Sequence, residues 1–156
     1  KIDGTNASIF IGEDGEFLVG SRTRWITPEQ DNYGFAAWAY QNREELLQLG
    51  AGHHFGEWWG LGIQRKYNVP EKRFSLFNTS RWKEGRPACC GVVPVLYEGI
   101  LTADCVENAI NDLRVNGSVA DLGFSNPEGI IIWHEAARTY FKKTLHKDDA
   151  PKGITA

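Results

Sequence analysis

Residues 7–20 read ASIFIGEDGEFLVG. Two short β-prone runs, ASIFI at 7–11 and EFLVG at 16–20, flank the turn GEDG. Four turn residues cannot carry a crossover, so two strands joined this way must lie antiparallel. This commits the start of the chain to an antiparallel hairpin, which needs a partner layer to be stable. The same pattern recurs near the other end. GIIIWH at 129–134 is an apolar run too short for a helix and bounded by NPEG, and TYFKKTL at 139–145 follows as its partner strand. HHFGEWWG at 53–60 and RFSLFN at 73–78 read as further strands.

Two helical insertions separate these strands. TPEQ at 27–30 has the form of a capping box, with Thr27 as cap, Pro28 in the first turn and Gln30 reaching back. A helix is then expected over about 33–49, stopped by Gly50. A second is expected over about 103–115 with Thr102 as its cap. The result is an α+β chain with mostly antiparallel sheet and helical insertions. At 156 residues it has one domain's length, and 42% apolar residues supply one core. No run of about 18 apolar residues is present to span a membrane. The tail KDDAPKGITA is polar, with Pro and Gly, and is expected to loop out.

A net charge of −3 argues against a generic nucleic-acid coat. The charge is uneven, however. Between Leu61 and Cys90 seven cations (Arg65, Lys66, Lys72, Arg73, Arg81, Lys83, Arg86) face two anions (Glu71, Glu84). A basic stretch on an acidic chain suits a directed phosphate contact, although a solvated charged face has the same composition. Three cysteines, two of them adjacent, do not form a disulfide framework. They read as idle thiols in a reducing compartment, which places the chain in the cytoplasm. The four histidines lack Cys or His partners at zinc spacing, and no Gly-x-x-x-x-Gly-Lys phosphate loop occurs.

The chain opens KIDGTN. A neutral amine is a strong nucleophile, but a free lysine side chain is protonated at neutral pH. Desolvation and neighbouring cations are the means by which a site releases that proton. Gly4 would let the backbone approach a ligand closely, and the Asn6 amide can meet a phosphate or a metal-bound water. Alone, the hexamer also fits a turn carrying a solvent lysine. Further along stand Arg22 in GSRTRW, Glu57 in HFGEWWG, Phe74 and Phe77 in RFSLFN, Glu128 in PEGIIIW, and Lys142 and Lys143 in FKKT.

In order and wording these segments resemble the covalent nucleotidyltransferase superfamily, and within it the ATP-dependent RNA ligases rather than DNA ligases or mRNA capping enzymes. KIDGTN is similar to the lysine-x-x-glycine motif, with the asparagine typical of RNA ligases. SRT is similar to the arginine element, FGEWWGLGIQRKY to motif III, RFSLFN to motif IIIa, EGIII to motif IV and YFKK to motif V. The likeness spans positions 1 to about 147. It implies an adenylation domain over 1–156, truncated before Lys1, because the strand that precedes the lysine in such domains is absent from this sequence.

The resemblance implies roles residue by residue. Lys1 would attack the α-phosphorus of ATP and carry AMP. Asn6 would lie in the nucleotide site, Arg22 would contact ribose or phosphate, Glu57 would bind a ribose hydroxyl, and Phe77, with Phe74 the weaker candidate, would stack on adenine. Glu128 would hold Mg²⁺ or Mn²⁺, and Lys142 would neutralise the α-phosphate. Motif V is commonly lysine-x-lysine, whereas Lys142 is followed here by Lys143 and Thr144, which leaves open whether Lys143 serves as the second phosphate contact. Motif IIIa commonly ends Phe-Asp, and here ends Phe77-Asn78. The implied partners are RNA 5′-phosphate and 3′-hydroxyl ends, met by a monomer, with no membrane. A DNA ligase or capping fragment, and a catalytically silent nucleic-acid-binding module of the same fold, are the alternative readings.

Overall fold

A computed structural model describes residues 1–146. The tail read above as a loop lies outside the described residues. The chain forms two compact units: Asp3–Pro94, and Lys1–Ile2 together with the chain from Val95 onward.

The Asp3–Pro94 unit is built on a six-stranded sheet in the order β3-β2-β1-β4-β5-β6. Its strands are β1 (Thr5–Ile11), β2 (Phe17–Gly20), β3 (Trp25–Ile26), β4 (Gly52–Gly60), β5 (Lys72–Leu76) and β6 (Cys90–Val92). All neighbours are antiparallel except β5 and β6. The predicted hairpin forms, with Ile11 opposite Phe17 and Ser8 opposite Gly20. The short strands β3 and β6 escape sequence reading because two or three residues carry no periodicity.

Strand alternation divides the sheet into two unlike faces. Ala7, Ile9, Ile11, Phe17, Val19, Ile26, Trp58, Phe74 and Leu76 share one side and are buried in a single core. Helices α1 (Phe35–Gln41) and α2 (Arg43–Leu46), with a 3₁₀ turn at Leu47–Leu49, cover that side through Phe35, Ala36, Ala39, Leu46 and Leu49. The rings of Phe35 and Phe74 lie 5.0 Å apart, and those of Trp38 and Trp58 5.1 Å apart.

Helix formation here departs from expectation twice. Thr27–Gln30 is a tight turn, with the Gln30 amide donating to the Thr27 carbonyl at 3.1 Å and Pro28 in its second position. The helix is capped instead by Asp31, whose carboxylate accepts from the amides of Ala36 at 2.8 Å and Ala37 at 3.0 Å. The expected single helix also breaks at Asn42. Its backbone leaves the helical region at φ −102°, ψ 16°, and its side-chain amide joins its own backbone amide on the Trp38 carbonyl, at 2.8 and 3.1 Å. Gly50, at φ 82°, ends the segment as predicted.

The second unit contains α4 (Ala103–Asn116) and the hairpin β7 (Gly129–His134) and β8 (Thr139–Thr144), all close to their predicted bounds. In the first unit, α3 (Thr79–Trp82) is one unpredicted turn, capped by Asn78, whose Oδ1 accepts from the Arg81 amide at 3.2 Å. Asn78 is the residue that departs from the Phe-Asp ending, so its side chain serves the local fold. Helix α4 packs Ile110 and Leu113 against Ile130 of β7. Thr102 caps α4, its Oγ1 accepting from the Cys105 amide at 3.1 Å. Thr102→Ala removes this cap and is expected to cost about 1 kcal/mol of stability, read as a lowered urea midpoint with an unchanged slope. Among the described residues no helix is long and apolar enough to cross a membrane.

Candidate active site

The residues singled out in the sequence fall in both units. Lys1, Glu128, Lys142 and Lys143 belong to one; Asn6, Arg22, Glu57 and Phe77 belong to the other.

In the first group, Lys1 and Glu128 meet. The Lys1 ammonium donates to Glu128 Oε2 at 2.6 Å, and the Lys1 backbone nitrogen donates to the Gly129 carbonyl. Glu128 is only 2% exposed, at the start of β7, while Lys1 keeps partial access to solvent. A carboxylate this buried needs a cation or several donors beside it, and Lys1 supplies one. Lys142 and Lys143 stand on consecutive positions of β8, so alternation sends them to opposite faces of the hairpin. Lys142 lies opposite Ile131 and is exposed; Lys143 lies opposite Ile130, on the side packed by α4, where its ammonium pairs with Glu107 of that helix. The hydrogen bond from Lys143, and then its charge, hold the Glu107 carboxyl below the usual carboxylate range.

In the second group, the face of the six-stranded sheet opposite the helices brings together residues from β1, β4 and β5, with Arg22 in the link after β2. Asn6 on β1 is directly opposite Glu57 on β4, and Glu57 opposite Ser75 on β5. The Asn6 side-chain amide lies against the Arg22 guanidinium; with its oxygen turned toward those donors it accepts from Nε and Nη2 at 2.9 Å each. Glu57 is buried, and its Oε1 accepts from the Gly4 amide at 3.0 Å. Trp58 and Trp59 point to opposite faces, as strand spacing required. Trp58 enters the core, and Trp59 stays on the Glu57 side, donating to Ser75 Oγ at 2.9 Å. The two candidate aromatics also separate. Phe74 is 1% exposed and packs in the core, whereas Phe77 is 42% exposed, just beyond β5, with its amide bonded to the Phe55 carbonyl at 3.0 Å.

Sequence reasoning missed an anchor beneath KIDGTN. Asp3 is buried and pairs through Oδ2 with Arg65 Nε at 3.1 Å, and its amide donates to the Tyr67 hydroxyl at 2.9 Å. The only signal was an acid beside the motif glycine and an arginine inside the basic stretch. Gly4 also has a different task from the one expected. A Cβ there would meet the Trp58 carbonyl oxygen and lie 2.7 Å from Trp59 Cβ. The glycine therefore lets β1 approach β4, with no ligand needed to explain it. Gly4→Ala is expected to cost about 2–3 kcal/mol, seen as a fall of about 5–10 °C in melting temperature.

The basic stretch is more committed than its charge suggests. Arg73 pairs with Glu71, Arg81 lies over the Trp82 ring at 4.0 Å, Arg86 donates to the carbonyls of Trp82, Lys83 and Cys90, and Lys72 donates to the Tyr33 carbonyl. A depression of about 520 Å³ lies on the helix side, beside Trp38, Trp58 and Lys72, and includes none of the predicted site residues.

Among the described residues no three His, Cys, Asp or Glu side chains gather in a metal-binding group. A magnesium ion bound with substrate phosphates needs only one or two carboxylates. Glu128, a hard oxygen donor at a buried position, fits that requirement.

A family model described as RNA ligase matches residues 1–147. Among solved structures, the chain resembles the Naegleria gruberi RNA ligase with pyrophosphate at a TM-score of 0.64 and 20% identity. The match covers 92% of this chain and 47% of that one, so the chain spans about half the length of that structure. At this identity the likeness concerns the fold. No curated protein matches the sequence.

Proposed function

This chain belongs to the RNA ligase family, and from that premise we propose that it is an ATP-dependent ligase that adenylates itself on Lys1. The AMP then passes to an RNA 5′-phosphate, and a 3′-hydroxyl displaces it to form the phosphodiester. The observation that carries the reading is the Lys1–Glu128 pair, a motif lysine held at 2.6 Å by a buried carboxylate.

Each step has a residue suited to it. Lys1, once deprotonated, attacks the α-phosphorus; the P–N bond forms as the bond to pyrophosphate breaks. The resemblance to a ligase solved with pyrophosphate agrees with that leaving group. Glu57 and Asn6 present a carboxylate and an amide at adjacent positions of one sheet face, suited to ribose hydroxyls. Arg22, fixed by Asn6, is suited to ribose or phosphate. Phe77 offers an exposed ring for adenine, a contact worth about 1–3 kcal/mol. Phe74 packs in the core, which supports Phe77 as the stacking ring. Lys142 neutralises the phosphate as charge develops, and Lys143 holds α4 through Glu107. Glu128 would hold Mg²⁺ or Mn²⁺, which when bound stabilises charge on the transferring phosphate. We read residues 1–156 as one adenylation domain of a monomeric, cytoplasmic enzyme.

Incubation with ATP labelled at the α-phosphate tests this directly. An acid-labile, base-stable adduct on Lys1 is expected, formed with release of pyrophosphate. Label from GTP but not ATP would assign the chain to the capping branch. A folded protein that takes no label but binds RNA would be the silent binding module.

A further inference from the structure

The sheet face that carries Glu57 continues past that buried residue into an exposed stretch. Further along the same face lie Phe10, Trp25, His53 and Phe55. Phe55, Ser8, Gly20 and Trp25 occupy one row across β4, β1, β2 and β3, and His53 and Phe10 are opposite each other in the next. The rings form a connected set. His53 and Phe55 are 4.1 Å apart, Trp25 and His53 are stacked at 5.7 Å with planes 29° apart, and Phe10 meets both Trp25 and His53 edge-on. Trp25 is 54% and Phe55 53% exposed. Gly20 lies under the indole, where a Cβ would come within 3.2 Å of the ring, so the missing side chain lets Trp25 lie low on the sheet.

This surface is unusual for its chemistry as well as its exposure. Its exposed apolar side chains are aromatic, with Leu18 opposite Phe10 the aliphatic neighbour, a composition that favours planar partners. Arg22 and Arg24 immediately precede Trp25 and are both exposed. Their hydrogen bonds go to neutral groups, Arg22 to the Asn6 amide and Arg24 to the carbonyls of Gln30 and Asp31. Among the described residues neither makes an ion pair, so their positive charge is uncompensated. Burial among its neighbours, and then repulsion from His54, hold the His53 imidazole below its ordinary value, which favours the neutral ring. Planar faces beside unneutralised guanidinium groups match a polyanion with exposed bases. From Glu57 to His53 the strip runs roughly 13 Å along β4. That is more aromatic surface than a single adenine covers.

We infer that Trp25, His53 and Phe55 form a stacking platform for unpaired bases of the RNA strand, with Arg24 contacting its phosphates and Arg22 left to the nucleotide. The inference rests on the ligase reading above and extends it from the nucleotide to the strand being joined.

The test is the affinity of the protein for a fluorescently labelled single-stranded adenine or uridine 12-mer, followed by anisotropy without ATP. Self-adenylation is measured in parallel without RNA. Trp25→Ala and Phe55→Ala are each expected to weaken RNA binding about 5- to 100-fold and to leave self-adenylation within about two-fold. Trp25→Phe, which keeps a ring, should retain most of the affinity. Trp25→Leu and Phe55→Leu preserve apolar volume and serve if the alanine variants fail to fold; they too should lose RNA affinity. Unchanged RNA affinity in the folded double variant overturns the platform. So does a fall in adenylation with RNA binding intact, which would assign these rings to the nucleotide. RNA binding that depends on the rings in a protein that never takes an AMP label would leave the platform standing and remove the ligase reading.

Discussion

Lys1→Arg is expected to abolish the covalent AMP adduct, by more than about 1,000-fold, while leaving the protein folded. A guanidinium can keep the charge pairing that Lys1 makes with Glu128 at 2.6 Å, but it does not release a proton near neutral pH and cannot act as the nucleophile. Lys1→Ala should lose the adduct as well, for two superimposed reasons. It removes the amine, and it leaves the buried Glu128 carboxylate without this cation. Because Lys1 is partly exposed, the second effect is discounted to about 1–3 kcal/mol. Comparing the variants by labelling and thermal denaturation separates chemistry from stability. An adduct that forms on Lys1→Arg at the rate of the unaltered protein would remove Lys1 from the reaction.

Lys142→Ala is expected to slow adenylation by about 100- to 1,000-fold, the usual effect of deleting one charge-stabilising donor. Lys143→Ala should change the rate less than about ten-fold, because its ammonium is engaged by Glu107 on the α4 side of the hairpin. Its signature lies elsewhere. With the hydrogen bond and charge of Lys143 gone, the Glu107 pKa rises toward the ordinary carboxylate range, measurable by a side-chain NMR titration. The sign is fixed by linkage. A depressed carboxyl pKa favours the folded state above the unfolded-state pKa, and the contribution is lost as pH falls through the folded value. The Lys143→Ala variant should therefore show less acid sensitivity from this group. Equal losses of rate in both variants would show that β8 itself, rather than one lysine, had been damaged.

Most of the strand framework was legible because its signals are local. GEDG between two β-prone runs can form only a hairpin, and GIIIWH with TYFKKTL repeats that logic, so β1, β2, β7 and β8 lie within a residue or two of expectation. Thr102 starts α4 by capping chemistry that likewise acts within a few residues. The failures were also local readings, overruled by nearby competitors. Asp31, not Thr27, serves the first amides of α1, and the expected long helix breaks where the Asn42 backbone leaves the helical region.

The candidate site divides along the same line. The amino-acid sequence by itself determined which residue types are present, their order, and the resemblance that family matching bears out. Strand alternation alone sends the adjacent Trp58 and Trp59 to opposite faces. Only the tertiary structure decided what each side chain meets. Burial took Phe74 into the core and left Phe77 open. It also distinguished Lys142 from Lys143 and paired Lys1 with a carboxylate 127 positions away in the chain. The exposed rings of Trp25, His53 and Phe55 come from segments about 30 residues apart and become one surface only through strand register. Propensity and capping act over a few residues, whereas burial and pairing depend on contacts that close long loops, and those contacts exist only after the chain has folded.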